Sequence, residues 1–297
     1  MKQKPVIGIS IGDIAGIGPE LADKILLDQE ILSLCTLKII STVDYTSLEK
    51  LGIQKGFTQK ESGKIAFESF IKAINLAKEG KIDAIVTAPI NKKALHLAGY
   101  KYNGHTEILA KETNTPNYAM LFHSNLLNVI LSTIHCPLEK VPKLITQKKL
   151  TQIIKLGYKA MKDLGIGKPR IGIAGLNPHA GEDGCLGLEE KNIIIPVVKN
   201  LEKTEMDIKG PFPADVIFRP VSRKDFDLIV AQYHDQGLIP LKMLSFDHAV
   251  NITLGTPIIR TSPDHGTAYD IVDKNLASNR SMSQAIKIAV KLIRNKK

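Results

Sequence analysis

Three histidines follow three similar stretches of chain. His135 comes just after the apolar run 128–132, His179 after 171–174 and His234 after 228–231. Neutral imidazoles ligate divalent metals well, and three of them with open coordination positions make a catalytic metal site. Any one of these histidines alone reads as a hydrogen-bonded structural residue. Three in equivalent positions raise the case for a shared ion. Asp235, next to His234, reads as a carboxylate that orients the imidazole. A second group suits an anion. Lys242, Asn251 and Arg260 are spread over 241–261, read as strands and loops, and their spacing does not show whether they converge. Gly104-His105-Thr106-Glu107 opens a helix, where Thr106 either caps the helix or joins its free N–H groups in holding phosphate or carboxylate. Gly12-Asp13-Ile14-Ala15-Gly16-Ile17-Gly18 precedes another helix, but the third glycine of the dinucleotide fingerprint is missing. His265 lies in a glycine-containing turn within reach of a ligand, and Asp264 beside it reads first as a turn residue.

These residues need elements to present them. Short apolar runs at 6–10, 37–41, 84–87, 128–132, 171–174, 228–231 and 258–261 read as strands covered on both faces. Amphipathic stretches at 19–27, 64–79, 106–112, 146–164, 189–201 and 281–294 read as helices, with Pro19 in a first turn. The alternation predicts α/β architecture with a largely parallel sheet. In such sheets ligands bind beyond the carboxyl ends of the strands, where the histidines and glycines fall. Neither an internal repeat nor a low-complexity linker marks a domain boundary.

The composition narrows the classes. The chain has 297 residues, 43% of them hydrophobic, with 24% charged and a formal net charge of +10. That excess can steer anionic substrates, although most lysines read as solvated helix faces. Aromatics are 5%, Trp is absent, and no zinc-finger spacing or concentrated basic arm occurs, so no nucleic-acid partner is expected. No apolar run has membrane-spanning length, and the N-terminal residues lack a secretory pattern. The three cysteines are too few for a disulfide framework. Cys136 and Cys185 read as small buried fillers. A cytoplasmic protein with no membrane partner is expected.

Read together, the blocks resemble the 4-hydroxythreonine-4-phosphate dehydrogenase family of pyridoxal phosphate (vitamin B6) biosynthesis. The match covers 12–20, Thr87-Ala88-Pro89, Gly104-His105-Thr106-Glu107, 133–138, 175–184, 210–215, 233–242, 251–255 and 260–268. Gly175-Leu176-Asn177-Pro178-His179-Ala180-Gly181-Glu182 and Tyr233-His234-Asp235-Gln236-Gly237 are its most specific parts. Ile14 and Cys136 depart from the usual proline and aliphatic, which bears on packing more than on ligands. The resemblance implies a two-domain α/β/α fold like that of isocitrate and isopropylmalate dehydrogenases. It implies one domain from 1–120 plus 252–297, a second from 121–251, and an active site in the cleft between them. It implies a homodimer whose active site is shared between subunits.

Carried over residue by residue, His135, His179 and His234 would bind one divalent metal ion, Zn, Mg, Mn or Co. His105, Thr106, Lys242, Asn251 and Arg260 would bind the small phosphorylated substrate. Lys242 and Asp235 are the candidate proton carriers, and Gly12, Gly16, Asn251 and Asp264 the candidate contacts to NAD or NADP. The implied reaction is NAD(P)-dependent oxidation of 4-phosphohydroxy-L-threonine at C3, followed by decarboxylation to 3-amino-2-oxopropyl phosphate. The rival readings are a paralogous dehydrogenase of a phosphorylated threonate or erythronate, a metal-dependent hydrolase, and a non-catalytic binding protein on the same scaffold.

Overall fold

Short runs of chain, most but not all of them largely apolar, make the strands of both halves. In the computed structural model, which describes residues 4–219 and 224–296, they are β1 (Val6–Ser10), β2 (Thr36–Ile40), β3 (Ala84–Thr87), β4 (Ala119–His123), β5 (Asn128–Leu131), β6 (Arg170–Ala174), β7 (Asp207–Phe212), β8 (Leu228–Ala231), β9 (Val250–Leu254) and β10 (Arg260–Pro263). Every residue of β3 and of β8 is buried, as expected of strands covered on both faces. The chain divides into two compact units, 4–116 with 247–296 and 117–219 with 224–246.

In the first unit the strand order is β2-β1-β3-β10-β9. β1, β2, β3 and β10 run parallel, and β9 is antiparallel to β10. The register sets Ser10 beside Thr87 and Arg260 opposite Thr253. The helix Lys60–Lys78 packs on β1, β2 and β3, burying Ile65, Phe70 and Ile74 at helical spacing. The helix Arg280–Lys296 packs on β9, β10 and β3, and Thr261 Oγ1 donates to its Ala285 carbonyl at 2.8 Å. Pro19 does fall in the first turn of the helix Gly18–Leu26.

In the second unit the order is β4-β5-β8-β6-β7, with β4 antiparallel to β5 and the others parallel. Leu131 pairs with Ala231, and Val230 with Ile173. The ends of β5, β8 and β6 are therefore neighbours, and each leads into a histidine-bearing segment. The helix Gln147–Asp163 packs on β4, β5 and β8.

One expectation needs correction. Leu241 and Lys242 do not lie in a strand or loop but in the helix His234–Ser245. Gly237 and Pro240 disguise it as a turn. Gly237 is what lets the helix lie against β5, since a Cβ there would stand 2.7 Å from a Val129 methyl and 2.8 Å from a Leu131 methyl. Gly237, Leu238, Leu241 and Ser245 form the buried stripe, and that packing overrides the local penalty of Pro240. The cysteine reading also changes. Cys185 is exposed and Cys136 half-buried, and only Cys35 is a buried filler.

Candidate active site

The second unit brings two of the three histidines side by side. The His135 and His234 rings lie 5.8 Å apart, centroid to centroid, at a tilt of 43°. They border a cavity of about 460 Å³ whose walls include Cys136, Tyr233 and Asp235. Asp235 Oδ1 lies 2.7 Å from His234 Nδ1. With Nδ1 donating to that carboxylate, Nε2 keeps the lone pair a cation needs. The same strand tips are stitched together by side chains. Thr133 Oγ1 donates to the Gln232 carbonyl at 2.8 Å, Gln232 Nε2 to the Ala174 carbonyl at 2.7 Å, and Gln236 Nε2 to the Gly175 carbonyl at 2.8 Å.

His179 stands apart in its backbone. It begins five consecutive residues, His179 to Asp183, with φ between 45° and 84°. Only Gly181 among them takes that conformation freely, and each of the others costs about 1–2 kcal/mol. Such a turn persists because its surroundings over-determine it. His179 is exposed there, and among the described residues no three His, Cys, Asp or Glu side chains form a metal-holding group. One chain therefore offers a prepared pair, His135 and His234, and a third histidine that does not complete it. The donor chemistry fits a borderline transition metal, with two imidazoles adjacent and one already aimed by a carboxylate. Lys242 lies on the His234 helix, eight residues further on and thus about 12 Å along the axis.

The first unit holds a different cluster, polar and desolvated. Arg260 is 3% exposed. Its Nη2 donates to Thr87 Oγ1 at 2.6 Å and to His105 Nδ1 at 3.3 Å, and its Nη1 donates to Thr253 Oγ1 at 3.2 Å. A guanidinium has only donors, so His105 Nδ1 accepts and the imidazole proton resides on Nε2. Burial, and secondarily Arg260, hold His105 well below its usual pKa, so the ring is neutral. Burial also presses Arg260 down to about 9, which leaves it charged at neutral pH. Phe70 meets the imidazole edge-on at 4.6 Å. Thr106 Oγ1 bonds Thr253 Oγ1 at 3.1 Å instead of capping the helix His105–Glu112, whose N-cap is Gly104. The helix-cap reading of Thr106 is thereby set aside.

Among the described residues, His105 Nε2 and Arg260 Nε of this cluster have no hydrogen-bond partner, nor has Asn251 Oδ1, two residues from Thr253 and so on the same face of β9. Buried polar atoms rarely go unpaired, and two donors with an acceptor on the same strand face as Thr253 are what a small polyoxygenated ligand would satisfy. Thr87 and Thr253 are the members that sequence reasoning assigned no role. Both fall at or beside strand ends, and a search for hydroxyls at those positions would have found them.

The candidate cofactor residues also lie in the first unit. Gly12 has a φ of +70°, and a Cβ there would stand 2.3 Å from the Pro89 carbonyl. A Cβ on Gly16 would stand 2.8 Å from the Thr267 carbonyl. Both glycines thus have a packing reason against the chain's own backbone. That contact joins the loop 12–18 to 265–269, as do Ile17 N to the Thr267 carbonyl (3.1 Å) and Tyr269 to Asp13 (2.6 Å). Asp264 is half-buried, just after β10.

Comparison with known proteins agrees with this architecture. A protein of Desulforapulum autotrophicum named 4-hydroxythreonine-4-phosphate dehydrogenase is 40% identical over 96% of this chain and 95% of its own length. One of Cupriavidus necator named D-threonate 4-phosphate dehydrogenase is 39% identical over 97% of both. The crystal structure of 4-hydroxythreonine-4-phosphate dehydrogenase from Klebsiella pneumoniae superposes with a TM-score of 0.80 at 35% identity, covering 98% of this chain and 100% of that one. Isocitrate dehydrogenase of Methylococcus capsulatus, at 17% identity and a TM-score of 0.56, covers 95% of this chain and 83% of that one and shares the fold. The profile of the pyridoxal phosphate biosynthetic protein PdxA matches residues 20–289, and the chain belongs to that family.

Proposed function

We propose that the protein is an NAD(P)- and metal-dependent dehydrogenase that oxidises 4-phosphohydroxy-L-threonine at C3. The carbinol loses a hydride and a proton to give 2-amino-3-oxo-4-(phosphooxy)butanoate. This 3-oxo acid then loses CO2, its electron pair passing into the ketone, and 3-amino-2-oxopropyl phosphate results. Family membership supports this activity. The observation that carries it is the pair of His135 and His234 at neighbouring strand tips, with Asp235 fixing the His234 ring.

His135, His179 and His234 would hold a divalent cation, with zinc or cobalt suiting imidazoles better than magnesium. When bound, the cation supplies Lewis acidity and the nicotinamide accepts the hydride. The chain's own residues bind, orient and move protons. His105 Nε2–H and Arg260 Nε donate to substrate oxygens, Asn251 Oδ1 accepts from a substrate hydroxyl or ammonium, and Thr106 lines the same cluster. Lys242 engages the phosphate or carries a proton, and Asp235 keeps the imidazole tautomer fixed. Gly12, Gly16, Asn251 and Asp264 flank the nicotinamide cofactor.

We further propose a cytoplasmic homodimer whose active site is shared between subunits. The helix His234–Ser245 and its C-cap expose Ile239, Met243 and Phe246 on one face, which suits burial against a second copy. A second copy would also supply the histidine that one chain does not bring to the pair.

D-threonate 4-phosphate is the second substrate reading, since relatives of nearly equal identity carry that name. It differs only in the group on C2. The test is turnover of both substrates by metal-loaded protein with NAD and then NADP, following reduced nicotinamide. Reduction with 4-phosphohydroxy-L-threonine and a kcat/KM above that for D-threonate 4-phosphate is expected. The reverse ranking selects the second reading, and no reduction by folded, metal-loaded dimer refutes both. Phosphate release without reduction would make it a hydrolase. His179→Ala is expected to lose metal and turnover while the dimer survives.

A further inference from the structure

Glu190 heads the π-helical turn Glu190–Ile194 and is 2% exposed. A buried carboxylate ordinarily faces a cation. This one is met instead by N–H groups of a single segment. Its Oε1 accepts from the Leu176 and Asn177 amides at 2.7 and 2.8 Å, and its Oε2 from Asn177 Nδ2 at 2.8 Å. The segment also closes over it. A Cβ on Gly181 would stand 2.7 Å from Oε2, and one on Gly175 3.3 Å from Oε1. These four residues bracket His179. At its other end the segment is tied through the Ala174 and Gly175 carbonyls to Gln232 and Gln236, which flank His234.

We propose that Glu190 is a positioning residue for His179. Its carboxylate is the peg around which the left-handed turn is wound, so the imidazole is held in its binding posture before any cation arrives. Charge-assisted bonds to two adjacent backbone amides fix the entry to the turn, and the close approach at Gly181 fixes its middle. Gln232 and Gln236 anchor the same segment to the tip that carries His234. The inference rests on the reading of His179 as a metal ligand.

Two measurements on the intact protein separate that reading from the positioning role. Amide hydrogen exchange of metal-free protein reports the turn alone. Titration with Co2+, followed by its visible absorption, reports the ligand set. For Glu190→Ala, exchange at the Leu176 and Asn177 amides should quicken about tenfold or more. Co2+ affinity should fall by about 10- to 100-fold, the range usual for outer partners of metal-binding histidines. Glu190→Gln keeps an oxygen for both backbone amides and should retain their protection and most of the affinity. Gly181→Ala attacks the turn from the opposite side with Glu190 intact, and should weaken Co2+ similarly. Unchanged exchange in Glu190→Ala overturns the positioning role. So does lost protection with unchanged Co2+ affinity. If His179→Ala leaves Co2+ affinity and absorption untouched while Glu190→Ala still frees the amides, the ligand reading has failed and the proposal falls with it.

Discussion

The two polar clusters of this molecule are built on opposite terms. In the first unit Arg260, Thr106 and His105 are 3%, 3% and 7% exposed; Arg260 bonds His105 directly and reaches Thr106 through the Thr253 hydroxyl. In the second, His135 and His179 are exposed and the His234 side chain is 39% exposed. The first cluster has already lost its water, and its free donors are aimed by neighbours within one chain. Such preorganisation raises the value of each hydrogen bond to a ligand. The second cluster is open to solvent, and among the described residues no third potential ligand joins its histidine pair. The desolvated polar cluster is thus finished by folding, whereas the histidine pair stands open to solvent and, on the proposed reading, waits for an ion and a second copy.

Removing the centre of the finished cluster tests this contrast most severely. Arg260→Met takes away the only cation among the residues bonded there but keeps an unbranched apolar stem. We expect kcat/KM to fall by about 10³-fold, equivalent to roughly 4 kcal/mol of lost binding in the transition state. Stability should fall only modestly, because burial disfavours this charge while Thr87, Thr253 and His105 lose the donor they accept from. Steady-state kinetics and thermal melting on the same preparation decide the matter. A large loss of melting temperature with modest loss of activity would make Arg260 a structural residue.

The unfinished cluster predicts a smaller effect with a different signature. If a second copy completes it, charge on the exposed helix face should disable it from a distance. In the double variant Met243→Glu, Phe246→Glu we expect sedimentation as a monomer and a loss of about 100-fold in turnover. That loss should be partly recovered at high protein concentration, as mass action requires. Circular dichroism should be unchanged, since both side chains are exposed, 82% and 72%. A variant that stays dimeric and active would show that this face is not the interface.

The sequence shows the histidine tips more readily than the Arg260 cluster, for a physical reason. β5, β6 and β8 are β-branched and almost wholly apolar, so their ends can be read, and ligands in an α/β sheet bind just beyond the carboxyl ends of its strands. β4, β7 and β9 escape the same pattern. Ala119–His123 lacks β-branching, Asp207–Phe212 contains Gly and Pro, and Val250–Leu254 mixes Asn and Thr with its apolar residues. The helix around Lys242 is hidden by Gly237 and Pro240, which only packing on β5 makes tolerable. Thr253 reaches Arg260 because β9 and β10 are antiparallel neighbours, and Glu190 reaches Asn177 across a left-handed turn. Neither pairing has a local signal, since each depends on how distant segments are brought together.

The smallest effect comes from His105 and is read as a pH slope. Burial and Arg260 keep its folded pKa well below the ordinary value, while in the unfolded chain it returns to about 6.5. Below pH 6.5 the unfolded chain therefore binds a proton that the folded one refuses. Stability from this residue is fully present above the unfolded pKa and drains away as pH falls beneath it. Between pH 7.0 and 5.5 the expected loss is about 1 kcal/mol. Urea unfolding of wild type and His105→Gln at both values isolates it, because the other titrating groups are common to the two proteins and cancel. The variant should be less sensitive to acid by that amount. Equal slopes would mean that His105 accepts a proton in the folded state. That would place the guanidinium elsewhere in solution and return the Arg260 cluster to the same unfinished condition as the histidine tips.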